Sequence, residues 1–215
     1  EYITDNEMTM AEYLQAMPEE TLAIMARTYT EGYRKGFEAA GIDLSKKKTV
    51  QIRYHIGFEP MVRQAVLQFE EMGLQAVFTR TTNTKAVGVV STAPNKQYLY
   101  DHRYDDALCL NRAIVRERLK MAEKVFEKYK EEASVYAGPA VIEVFGETLF
   151  SPETKKENPA YTKEQETMSV EYRRDFSLIQ NRYIPQEQYS FTIIAYPIPE
   201  IGEDFKEIFE ATVEV

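Results

Sequence analysis

Residues 49–81, TVQIRYHIGFEPMVRQAVLQFEEMGLQAVFTRT, change hydrophobic period twice. Over about 48–56, Val50, Ile52, Tyr54 and Ile56 alternate with Gln51, Arg53 and His55, the two-residue period of a strand. From Pro60 to Met72 the apolar positions Val62, Ala65, Val66 and Phe69 step by three and four, which is one face of a helix. Proline suits a first helical turn, where its missing N–H is not needed. Gly73 stops the helix, and Leu74–Thr81 reads as a second strand. Strand, helix and strand in so short a span form a parallel βαβ unit with a right-handed crossover. With only one apolar face, the first strand is expected near a sheet edge or beneath a polar cover.

The remaining chain extends this pattern. A short helix is expected over 8–16 and a longer one over 19–40, with Leu22, Met25, Tyr29, Tyr33 and Phe37 on one face and Gly41 as its stop. Gly32, Gly36 and Ala40 form a ridge of small residues, which predicts close approach of another backbone. Asp105 to Tyr136 reads as one long helix. Val115, Leu119, Ala122, Phe126, Tyr129, Ala133 and Tyr136 make its stripe, widened by Ile114, Met121 and Val125 into a face suited to a sheet. GPAVIEVFGE, 138–147, gives a third strand. Thr162 and Gln165 form a capping box for a helix reaching Arg182. YSFTIIAYPIP gives a fourth strand, apolar on both faces and so expected in the sheet centre. A helix over 202–212 ends the pattern. The fold class is therefore α/β: a mostly parallel sheet flanked by helices in Rossmann-like layers, with a helical lead-in over 1–41 and the α/β domain over 42–215.

The formal charge of −9 argues against nucleic acid or an anionic membrane as partner. One cysteine, Cys109, forms no internal disulfide, fits a reducing compartment, and reads as a small core residue. No signal peptide or membrane-length apolar run is present, so a cytoplasmic protein is expected. The chain opens without Met and ends directly after an amphipathic turn, and both ends read as cut from something longer.

Several constellations invite chemistry. The turn His55-Ile56-Gly57 sits where α/β sheets hold ligands, but it has one glycine where a dinucleotide loop needs three. It also lacks the Gly-Lys-Ser/Thr ending of a P-loop, and Glu59 would repel a phosphate at the helix start. Asp101, His102, Asp105 and Asp106 cluster like metal ligands, yet aspartates at a helix start also serve as caps. Glu143 and Glu147 have the chemistry of an acid–base pair, with no nucleophile or second ligand beside them in sequence. The chain has no G-x-S-x-G elbow and no H-E-x-x-H motif. No catalytic, cofactor-binding or metal residue is assigned on these grounds. His55, Gly57, Arg80, Gly146, Glu147 and Pro199 are expected to gather on the rim at the strand carboxyl ends, facing a second domain or a substrate path. An exposed, partly apolar patch is expected there around Ile56, Phe58, Phe150, Pro197 and Ile198.

Long runs carry a resemblance. RTYTEGYRKGFEAAGIDLSKKKTVQIRYHIGFEPMVRQAVLQFEEMGLQA and YSFTIIAYPIPEIGEDFKEIFEATVEV, together with APNKQYLYDH and GPAVIEVFGE, resemble the amino-terminal half of clostridial leucyl aminopeptidases, in the aminopeptidase T family of thermophilic-type metallopeptidases. The resemblance implies a cytoplasmic homodimer acting on peptides. Two divalent metals (zinc, cobalt or manganese) would be held by a carboxy-terminal catalytic half beginning after Val215. This chain would be the non-catalytic α/β domain, with its own catalytic half as partner, and no ligand motif carries over onto it. The alternatives are a stand-alone small-ligand module and an interaction domain whose long helix pairs with a partner.

Overall fold

The computed structural model describes residues 3–81, 105–147, 156–157 and 159–214. The chain divides into two compact units. One takes in residues 1–100, 137–151 and 190–215, and the other 101–136 and 152–189.

The first unit holds helices α1 (Asp5–Gln15), α2 (Glu19–Ala40) and α3 (Glu59–Glu71) and strands β1 (Thr49–His55) and β2 (Gln75–Thr81). It also holds most of β3 (Tyr136–Phe145), with β4 (Thr192–Pro197) and the closing helix α8 (Phe205–Glu214). The strands form one parallel sheet in the order β2-β1-β3-β4. Val50 aligns with Ala76 and Ile52 with Phe78, and Ile142 aligns with Ile194 and Val144 with Tyr196. The α/β class and the helical amino-terminal segment are as the sequence pattern predicts. The lead-in helices share a core with the sheet: Met10 and Leu14 of α1 and Met25, Tyr29, Tyr33 and Phe37 of α2 are all buried in it.

The strand order excludes the edge position, one of the two expected for β1, and overturns the central position expected for β4. β1 lies inside the sheet, between β2 and β3, and β4 lies at an edge. The polar side of β1 needs no edge because its groups satisfy one another. Arg53 donates to Gln51 Oε1 at 2.8 and 3.1 Å, and Gln51 donates to Thr79 Oγ1 of β2 at 2.9 Å. β4 is apolar on both sides, yet Ile193 is 52% exposed and Ala195 is also exposed. The core side of the sheet, with Val50, Ile52, Ile142, Val144 and Tyr196, is shared with α2, α3 and α8.

Aromatic packing joins these layers. The Phe69 ring meets Tyr29 and Tyr33 edge-on at 5.9 and 5.3 Å, and Tyr196 packs between Phe58 and Phe209 at 5.8 and 5.4 Å. Tyr33 Oη donates to the Gly138 carbonyl at 3.1 Å, which ties α2 to β3. The glycine ridge does what its spacing predicts. A Cβ at Gly36 would stand 2.8 Å from Ser190 Oγ, and one at Gly32 would stand 3.3 Å from Thr192 Oγ1, so α2 lies directly on the start of β4. Gly41 closes α2 in the left-handed region (φ 67°), with Ile42 N–H bonded to the Phe37 carbonyl.

The second unit is helical. The single helix expected from Asp105 to Tyr136 is three: α4 (Asp106–Cys109), α5 (Arg112–Lys128) and α6 (Lys130–Ser134). Leu110 is extended and Asn111 starts a new helix, its side chain accepting from the Ala113 and Ile114 N–H groups at 3.0 and 3.1 Å. α7 (Lys163–Tyr183) opens with the expected capping box, Thr162 and Gln165 bonding reciprocally. The α5 stripe is suited to a sheet, but its partner is a helix: Phe126 meets Phe176 and stacks on Tyr183, both of α7. Among the described residues no helix is long and apolar enough to cross a membrane.

The first unit's core can be tested at two positions. Gly36→Leu must overpack the contact with β4 and should lower stability by roughly 1–3 kcal/mol more than Lys35→Leu on the exposed side. Denaturant melts compare the two, and equal midpoints would place the ridge away from β4. The Tyr29 hydroxyl is buried with no hydrogen-bond partner among the described residues, and burial holds its pKa, like that of Tyr196, well above the ordinary value. The folded state then keeps the phenol neutral while the unfolded chain ionises near pH 10. This stabilisation is complete below about pH 10 and declines as pH rises above it. Tyr29→Phe should therefore be no less stable at pH 7 and should unfold less steeply between pH 10 and 11.5, measured by circular dichroism. A large loss at pH 7 would show that the hydroxyl has a stabilising partner.

Candidate functional site

In a parallel sheet, ligands bind where successive connections turn opposite ways, outside the carboxyl ends of the strands. In the order β2-β1-β3-β4 that place lies between β1 and β3. The segments lining it are His55–Phe58 after β1 and Gly146–Glu147 after β3.

The turn after β1 is built around Gly57, whose φ of 104° is strained for any residue with a Cβ. Phe58 N–H donates to the His55 carbonyl at 3.2 Å, and the Phe58 ring is buried beneath the turn. The backbone N–H of Gly57 points at Glu59, whose Oε2 accepts it at 2.8 Å. A carboxylate in the first turn of α3 also complements the positive end of the helix dipole. The chain's own Glu59 thus takes the donor and the field that a phosphate would use at such a turn.

Helix α1 covers the other side of the turn. A Cβ on Gly57 would lie 3.0 Å from both the Glu7 carbonyl oxygen and Met10 Cβ. Met10 and Leu14 are buried. The helix is fixed at its start by Thr4 and Glu7: Glu7 N–H donates to Thr4 Oγ1 at 3.3 Å, and Thr4 N–H donates to Glu7 Oε2 at 2.8 Å. Further along, the Tyr13 ring meets Phe205 and Phe209 of α8 edge-on at 5.0 and 5.2 Å. The β3 side is closed in the same manner. Gly146 has φ 95°, and a Cβ there would stand 2.8 Å from Ile201 Cβ. Ile198 N–H donates to the Phe145 carbonyl at 3.0 Å, which holds the 3-10 turn Pro199–Ile201 beside the end of β3.

All six expected rim residues lie at this end of the parallel sheet. His55 is buried at the end of β1, Arg80 is exposed near the end of β2, and Gly146, Glu147 and Pro199 are half-buried. Burial is the main cause raising the Tyr54 pKa; the Glu59 carboxylate adds to it, and Arg80 opposes it. The expected apolar patch is corrected by packing: Ile56, Phe58 and Pro197 are buried and Ile198 is half-buried, covered within the first unit, while Phe150 lies outside the described residues. The residues that sequence reasoning missed are Met10 and Leu14. The Thr4-x-x-Glu7 box is their signal, since it starts α1 at Asp5 and sets the helical spacing of its buried side.

The other candidates fall into structural roles. Asp105 caps α4 by accepting from Ala107 N–H at 2.8 Å, and Asp106 forms a two-pronged pair with Arg118 at 2.7 and 2.9 Å. Asp101 and His102 lie outside the described residues. Glu143 is half-buried within β3. Cys109 is exposed and not a core residue, because α4 ends there instead of continuing as one long helix. Among the described residues, no group of three or more His, Cys, Asp or Glu side chains stands together as a metal site would require. No known protein family, curated protein or solved structure matches the chain.

The cover over the turn can be tested by comparing two glycines that both have positive φ. A methyl added at Gly73 (φ 79°) would have nothing within 4 Å, whereas one at Gly57 would meet Glu7 and Met10. Gly57→Ala should cost roughly 1–3 kcal/mol more than Gly73→Ala in chemical denaturation. Equal costs would mean that α1 does not rest on the turn.

Proposed function

We propose that this chain is the non-catalytic α/β domain of a metal-dependent leucyl aminopeptidase of the kind its sequence resembles. In this reading the domain supports a separate catalytic half, which holds two divalent metals and removes N-terminal residues from peptides in the cytoplasm. The observation that carries the non-catalytic part is the filled ligand position at the strand ends. Glu59 takes the backbone donor of Gly57, Met10 lies on that glycine, and Ile201 lies on Gly146. A stand-alone small-ligand module would need that position open to bind its ligand. The identity of the enzyme rests on the resemblance of the long sequence runs alone.

The purified chain should not hydrolyse leucyl-p-nitroanilide with cobalt, zinc or manganese present, since two-metal hydrolysis needs a ligand set that holds both ions. Turnover that tracks added metal and is lost with chelator would overturn the non-catalytic assignment. Saturable micromolar binding of ATP, NAD or FMN by calorimetry would instead favour the small-ligand module.

A further inference from the structure

We draw no further inference here: the strongest candidate, the exposed apolar patch of Phe191 and Ile193 at the outer strand β4 of the sheet, carries nothing because no feature among the described residues shows what covers it.

Discussion

The turn at Gly57 imposes the constraint on which the first unit's strand-end geometry depends. β1 must reverse into α3 within three residues, which requires a backbone conformation open to glycine and closed to most others. The same missing side chain lets α1 lie on the turn at van der Waals distance. With α1 in place, Tyr13 reaches the α8 rings, and α8 in turn packs on Tyr196 of β4. One glycine thereby links the first helix of the chain, the first strand and the last helix. A place that many α/β proteins leave open for a ligand becomes part of the core.

Close packing against glycine recurs elsewhere in this unit. Gly32 and Gly36 bring α2 onto β4, and Gly146 admits Ile201. Gly32 and Gly36 each weaken α2 by about 1 kcal/mol in local propensity. The compensation is packing: the α2 side chains Tyr29, Tyr33 and Phe37 then reach the sheet core and the Phe69 ring. The second unit lacks such packing. Its α5 and α7 meet through a few rings and ion pairs, and among the described residues Met121 and Val125 of α5 are exposed.

Local rules written into the sequence determined the elements. Period-two and period-3.6 patterns located α2, β1, α3 and β2 to within a residue or so, the Thr162/Gln165 box located α7, and the Gly32/Gly36 spacing foretold a backbone contact. These features depend on neighbours three or four positions away, so the sequence alone contains them. The break at Asn111 was also local, but the apolar stripe read for the long helix begins only after it, at Ile114 and Val115, and the Asp105-Asp106 start drew the helix back across the cap. Tertiary structure decided what depends on distant partners. β4 has two apolar faces and still stands at an edge, and β1 has a polar face and still lies inside, because Gln51, Arg53 and Thr79 satisfy one another across strands. The rim residues were legible by their positions at strand ends, whereas the closing of that rim was not. Whether a strand-end turn stays open depends on which distant side chains fill the space beside it, and no period within residues 49–66 specifies that Met10 and Ile201 will.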